Sequence, residues 1–300
     1  MTAPEPLRPS GVIVIDKPEG PTSFDVVARV RRALHTREVG HCGTLDPLAT
    51  GVVVVCIGSY TRLVRVLTAD DKRYTATIAF GSATTTDDRE GEVIATGDPA
   101  LLNERALRAA VASMSGVQRQ VPPMYSAIHI DGERAYAKAR RGETVNMPAR
   151  EVVIHGLSLL SFAGCAADAT APRHAKAVID VHCGKGTYVR ALARDLGVKL
   201  GVPAHLHALR RTRSGSYGLE DAVALDDVSE SALQTGVGAV RGVPLVPVSE
   251  EQAALLKRGQ RVRTAATMEG TGLAHRGEDP VALVRVEADM LVVERGFGAA

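Results

Sequence analysis

Gly40-His41-Cys42-Gly43-Thr44-Leu45-Asp46-Pro47-Leu48-Ala49-Thr50-Gly51 runs straight into the apolar stretch Val52 to Ile57, and it leaves this chain few local structures to choose from. Three glycines, a proline and two threonines mark an irregular loop, and the unbroken apolar run after it reads as a buried strand. One carboxylate, Asp46, stands in the middle of that loop with no neighbouring acid and no metal-ligand spacing around it.

A lone carboxylate can be a metal ligand, a general base, a covalent nucleophile or a turn former. Metal binding wants further regularly spaced ligands, and the sequence offers none. Asp before Pro is a common turn initiator, so that role stays open. The glycine-rich approach would let backbone come close to a ligand, and a loop held against a buried strand would hold its carboxylate rigidly, which favours a chemical role.

Composition bounds the alternatives. A chain of 300 residues that is 45% hydrophobic can bury a large core and carry a smaller appendage. Met1 to Pro9 lacks the apolar segment of a signal peptide, and no apolar stretch is long enough to span a bilayer, so a soluble, cytoplasmic protein with no membrane partner is expected. Cys42, Cys56, Cys165 and Cys183 form no C-x-x-C pair. His41-Cys42 and His182-Cys183 look like two halves of a metal site, but adjacent side chains point apart, and core packing explains the thiols better.

The formal net charge is only +2, yet the basic residues cluster. Arg29, Arg31, Arg32 and Arg37 form one group, Arg134, Lys138, Arg140, Arg141 and Arg150 a second, and Arg210, Arg211 and Arg213 a third, while acids gather at Asp87 to Glu90 and from Glu220 to Glu230. A solvated helix face would explain any one cluster; three together favour a basic groove for a polyanion.

Hydrophobic periodicity predicts an α+β chain. Strands are expected at Val12 to Ile15, Val52 to Ile57 and Lys72 to Phe80, with Tyr74, Ile78 and Phe80 on one face. Thr22-Ser23-Phe24-Asp25 reads as a capping box for a helix whose Val26, Val27, Val30 and Leu34 form an apolar stripe. A second helix is expected over Thr61 to Thr68, a strand at Gly91 to Ala95, and a helix opened by Asp98-Pro99 and running to Ser115.

Pro122 to Ile130 reads as a strand closed by Asp131-Gly132, then a basic projecting helix from Arg134 to Arg141 that ends at Gly142. Further strands are expected at Val152 to Leu160, Ala177 to His182 and His205 to Arg213, with a mobile polar loop over Cys165 to Arg173. Thr187 is placed as the cap of a helix from Tyr188 to Leu200 that stops at Gly201. After Leu245 come a helix over Glu250 to Arg258 and strands at Arg261 to Arg263, Pro280 to Val286 and Met290 to Arg295, read as a small β-rich second domain.

If Asp46 acts as an ionised group, it needs a cationic partner. Arg190 falls in the first turn of its helix, where a cation is unfavourable unless an acid or an anionic ligand meets it, although a plain surface arginine would fit the position as well.

Several segments taken together resemble the successive motifs of the TruB family, the bacterial tRNA pseudouridine-55 synthases. They are Gly11 to Pro18 with Thr22-Ser23, Gly40 to Gly51, Lys72-Arg73-Tyr74, Pro122 to Ile128, and Gly184-Lys185-Gly186-Thr187-Tyr188-Val189-Arg190, in order, within about residues 10 to 213. The G-H-x-G-x-L-D-P-x-A-x-G pattern is the most specific of them.

The resemblance implies an isomerase that converts the T-loop uridine of the tRNA T arm to pseudouridine, on the pseudouridine synthase fold: a mixed, mainly antiparallel central sheet flanked by helices, with a small PUA-like domain. It implies no cofactor and no metal, tRNA as the partner, and a monomer that needs no other protein. Alternatives are an RNA-guided synthase subunit, whose longer basic tails this chain lacks, and a non-catalytic tRNA-binding or folding module.

Carried over by resemblance, Asp46 would be the essential carboxylate, by a nucleophilic or a glycal route. Tyr74 would stack on the flipped base, Arg190 would pair with Asp46, and His41 would fill the space the base leaves. Tyr188 and Leu209 would wall the pocket, Lys17 with Pro18 would support Tyr74, and Arg62, where many relatives carry lysine, would contact phosphate. The implied layout is a flexible terminus over 1–10, a catalytic domain over 11–244 with an RNA-binding projection at 119–150, and a PUA-like domain over 245–300.

Overall fold

A computed structural model describes residues 9–126, 128–130, 132–141, 143, 146–164 and 175–297. The loop expected at Cys165 to Arg173, the first eight residues, Asp131 and Gly142 lie outside that set. The chain divides into two compact units, one formed by Met1–Asp70 with Arg213–Ala300, the other by Asp71–Thr212.

The first unit is built on the antiparallel pair Gly11–Lys17 and Thr50–Ile57, in register from Gly11 opposite Ile57 to Lys17 opposite Gly51. Both strands are almost wholly buried and, apart from Asp16, Lys17 and Thr50 at their ends, apolar, as strands covered on both faces are. A short parallel strand, Val223–Ala224, extends the sheet beside Gly11–Lys17. The helix Ser23–Ala33 starts as expected: Thr22 and Asp25 form a capping box, and Val26, Val27 and Val30 are buried. The expected second helix begins instead as a 3-10 turn, Gly58–Leu63, and becomes α-helical only over Val64–Thr68.

Residues 245–297 fold as a five-stranded sheet with the helix Glu250–Lys257. Two of its strands, Leu245–Pro247 and Gly270–Arg276, were not anticipated. The sheet has its own core around Val246, Leu256, Val284 and Leu291. Its Leu273, Leu283 and Phe297 also join the cluster formed by Val12, Val54, Tyr60 and Tyr217, with Tyr60 and Phe297 edge to face at 5.4 Å.

The second unit is a sheet in the order Ala204–Ser214, Lys72–Phe80, Ala175–Cys183, Arg150–Ala163, Gly116–Gln120. Tyr74, Ala76, Ile78 and Phe80 alternate inward along Lys72–Phe80, as the period-two pattern required. The helix Val189–Leu200 ends on Gly201 at φ +69°, a left-handed position that glycine adopts without strain.

Four local expectations fail here, each for a visible reason. The helix foreseen from Asp98 to Ser115 is broken: Asp98 caps only a 3-10 turn, and Asn103 then captures the Ala106 N–H and starts a separate helix, Glu104–Ala112. Thr187 is not the cap of Val189–Leu200, because its hydroxyl donates back to the Gly184 carbonyl at 3.0 Å and Tyr188 takes the cap position. Among the described residues, Pro122 to Ser126 form no strand, and the strand here is His129–Ile130, paired with Glu133–Arg134. The short helix Ala135–Arg140 is anchored rather than merely projecting: Ala135 is fully buried against Met147, Met124 and Ile128.

Candidate functional site

Asp46 sits where the sequence placed it, half-buried between deeply buried Leu45, Leu48 and Ala49. The Ala49 N–H donates to the Asp46 carbonyl at 3.1 Å, a tight turn of the kind that an Asp-Pro pair initiates. Gly43 at φ +108° and Gly51 at φ +102° adopt backbone that a β-branched residue could not, which explains the glycines at both ends.

Two contacts outside the loop make it rigid. The Ser23 hydroxyl accepts from the Leu45 N–H at 2.8 Å and lies 3.2 Å from the Leu45 carbonyl, so the first turn of the helix Ser23–Ala33 grips the residue just before Asp46. Lys17 is fully buried, and its ammonium donates to the carbonyls of Pro18 (2.9 Å), Pro21 (2.8 Å) and Pro47 (3.2 Å). An ammonium has three protons, and three carbonyls in reach offset its desolvation. These bonds tie the strand Gly11–Lys17 to the loop residue that follows Asp46.

His41 ends the short strand Val39–His41, with its ring edge to face with Phe24 at 5.6 Å. Phe24 is 62% exposed, although an aromatic ring of that size is ordinarily buried. Arg62 is exposed in the 3-10 turn Gly58–Leu63. Cys42 faces Cys56 with the sulfurs 3.6 Å apart, and the hydrogen bond between them, together with burial, pushes the Cys56 thiol well above its ordinary range, the behaviour of inert core thiols.

The second unit holds Tyr74, Tyr188, Arg190 and Leu209. Tyr74 and Leu209 are buried on the strands Lys72–Phe80 and Ala204–Ser214. Tyr188 is fixed from two sides: Gln120 accepts from its N–H at 2.8 Å and donates to its carbonyl at 3.1 Å, while the Arg150 guanidinium stands 4.9 Å from its ring centre. Arg190 is buried, donates to the carbonyls of Thr86 (3.1 Å) and Tyr125 (2.9 Å), and lies 3.5 Å from the Asp88 carboxylate.

Sequence reasoning missed Gln120, the contact of Arg150 with Tyr188 and the pairing of Asp88 with Arg190, because each acts across a long sequence separation. Asp88 and its neighbours were set apart as acids gathered elsewhere, yet Asp88 meets Arg190 and Asp87 meets Arg194. Three acids of the 220–230 stretch likewise meet arginines, Asp226 with Arg29, Glu220 with Arg213 and Asp221 with Arg241. Arg211, counted in a basic cluster, is 1% exposed and cannot face a ligand in solvent.

Comparison with known proteins decides the family. The TruB family pseudouridylate synthase N-terminal domain matches residues 31–189, and the tRNA pseudouridylate synthase B C-terminal domain matches residues 190–240. The chain belongs to the TruB family. The tRNA pseudouridine synthase B of Arthrobacter sp. (strain FB24) is 43% identical over 95% of this chain and 92% of its own length. Those of Corynebacterium efficiens and Thermobifida fusca are each 44% identical, covering 85% and 88% of this chain and 85% and 90% of their own.

Among solved structures, a Cbf5-Nop10-Gar1 complex matches with a TM-score of 0.71 at 25% identity, over 96% of this chain and 85% of that chain. An H/ACA RNP bound to a substrate RNA containing 2'-deoxyuridine matches at 0.70 and 23%, with the same coverage, a likeness of fold alone. The mixed, sheet-dominated architecture is that of TruB and its relatives.

Proposed function

We propose that this TruB-family chain isomerises the T-loop uridine of tRNA, at position 55, to pseudouridine, with Asp46 as the essential carboxylate. In that reaction the N1–C1′ bond breaks, a C1′–C5 bond forms, N1 gains a proton and C5 loses one. Nothing is oxidised and no group leaves, so a positioned carboxylate and a pocket that holds the detached uracil while it turns suffice. The observation that carries the reading is the Asp46 loop: its buried flanks, the Ser23 contacts and the Lys17 clamp hold a half-buried Asp46 on fixed backbone.

In this reading the target base leaves its stack before reacting, His41 fills the gap, and Tyr74 stacks on the extruded uracil. Tyr188 and Leu209 wall the pocket, Arg62 contacts phosphate, and Arg190 serves the reacting centre. The segment 119–150 contributes to the grip on the T arm, and residues 245–300 act as a PUA-like RNA-binding element. The chain works alone, as a monomer in the cytoplasm.

The test is incubation of the purified protein with a T-arm stem-loop transcript, mapping pseudouridine by position. Conversion of the single T-loop uridine by wild type, with Asp46→Asn binding RNA equally but yielding no product, is the expected outcome. Conversion that requires an added guide RNA or partner protein would replace this reading with an RNA-guided one, and ordinary turnover by Asp46→Asn would remove Asp46 from the chemistry.

A further inference from the structure

Arg190 and Arg194 are four residues apart on the helix Val189–Leu200 and therefore share a face. Each uses one arm of its guanidinium on the loop 84–91 and the other on the segment 121–126. Arg190 reaches the Thr86 carbonyl and Asp88 with Nη1 and the Tyr125 carbonyl with Nη2. Arg194 reaches Asp87 at 2.9 Å with Nη1 and the Val121 carbonyl at 2.8 Å with Nη2, while its Nε donates to Asp195 at 2.9 Å. The two side chains form parallel rungs between the same two loops. The inner rung is almost closed to solvent, and the outer one is about a quarter exposed at Arg194.

The ionic contact of the inner rung is weak by itself. At 3.5 Å the Arg190–Asp88 contact is an ion pair without a good hydrogen bond, in a setting where both groups have lost their water. What aims the Asp88 carboxylate is its own loop: Oδ1 accepts from the Thr86 hydroxyl at 2.6 Å and from the Glu90 N–H at 3.0 Å, which leaves Oδ2 toward Arg190. The alignment therefore depends on where the loop lies.

Asp87 sets that position. Its φ of +60° is a left-handed conformation uncommon outside glycine, and one that aspartate tolerates. Its backbone carbonyl accepts from the Leu206 N–H, and the N–H of Arg89, two residues on, donates to the Leu206 carbonyl, so one side of the loop is stitched to the strand Ala204–Ser214. Arg194 holds the helix side through the Asp87 carboxylate.

We propose that Asp87 and Arg194 form a positioning pair for the reaction: by fixing the loop 84–91 and the segment 121–126 at one spacing, they keep Arg190 against Asp88. The pair makes no contact with substrate in this scheme, so its loss slows isomerisation and leaves RNA affinity intact. This inference rests on the proposed function, because it needs Arg190 to serve the reacting centre.

The experiment measures single-turnover conversion and equilibrium RNA binding on the same T-arm stem-loop for Arg194→Gln, Asp87→Asn and Arg194→Lys, each with a melting temperature. The expected result is a rate about tenfold lower for the first two at unchanged affinity. Arg194→Lys should recover part of the rate, since an ammonium can reach Asp87 but lacks the fork that also spans to Val121. Arg194→Gln added to Asp88→Asn should slow the reaction no further, because both act through one alignment. Hydrogen exchange at the Arg89 amide should be faster in Arg194→Gln than in wild type.

An unchanged rate, a rate that falls in step with affinity, or a loss that adds in full to that of Asp88→Asn would each overturn the proposal. Failure of wild type to make pseudouridine would instead overturn the functional reading, and the exchange measurement would still judge the pair as a loop clamp.

Discussion

Gln120 holds Tyr188 by both of its backbone polar groups, accepting from the N–H at 2.8 Å and donating to the carbonyl at 3.1 Å. It does for the start of the helix Val189–Leu200 what a side-chain cap does elsewhere, since Tyr188 makes no cap bond of its own.

Gln120→Ala should therefore destabilise the protein by about 1 to 3 kcal/mol, the loss expected when buried backbone groups give up their partner. Because the same bonds fix Tyr188 two residues before Arg190, the rate of uridine conversion should also fall. Urea unfolding and single-turnover kinetics on one preparation check both.

Lys17→Met removes a buried ammonium that three carbonyls accept from, at Pro18, Pro21 and Pro47. Leaving those part-buried oxygens without their donor costs about 1 kcal/mol or more, less what methionine regains by packing. The expected result is a lower urea midpoint, with hydrogen exchange quickest to rise at the Gly20 amide, which donates to Pro47.

Tyr217 donates to the Ala239 carbonyl at 2.8 Å and is fully buried, and burial pushes its hydroxyl up to about 12. Burial also raises Tyr60 to about 12. The folded state thus keeps protons that the unfolded chain releases near pH 10, so their stabilising contribution is complete below pH 10 and is lost as pH rises through 12. For Tyr217 that is on the order of 2 kcal/mol. Stability measured from pH 9 to 12 should fall, and Tyr217→Phe should flatten the decline.

Arg190→Ala should cut conversion by at least about a hundredfold while changing RNA affinity little, because its guanidinium is engaged inside the protein with Thr86, Asp88 and Tyr125. Filter binding beside single-turnover kinetics checks this. Equal losses in rate and affinity would make Arg190 a phosphate contact.

Much of the fold was legible locally. The capping box at Thr22 and Asp25, the apolar stripe of the helix Ser23–Ala33, the inward alternation of Tyr74 and Phe80 and the stop at Gly201 each follow from residues within a few positions of one another. Misreadings came where one residue had two local uses. Asn103 could continue a helix or begin one, and Thr187 could cap forward or bond backward; the choice rested on surroundings the sequence does not display.

The sequence by itself determined that Asp46 would stand on a glycine-bounded loop before a buried strand, because backbone conformation and apolar patterning are short-range properties. Only the tertiary structure decided what holds that loop and what meets Arg190. Lys17 reaches Pro47 across 30 positions, and Arg190 reaches Tyr125 across 65. A side chain's hydrogen-bond partners depend on which backbone atoms folding brings within 3 Å or so, and no local pattern records that.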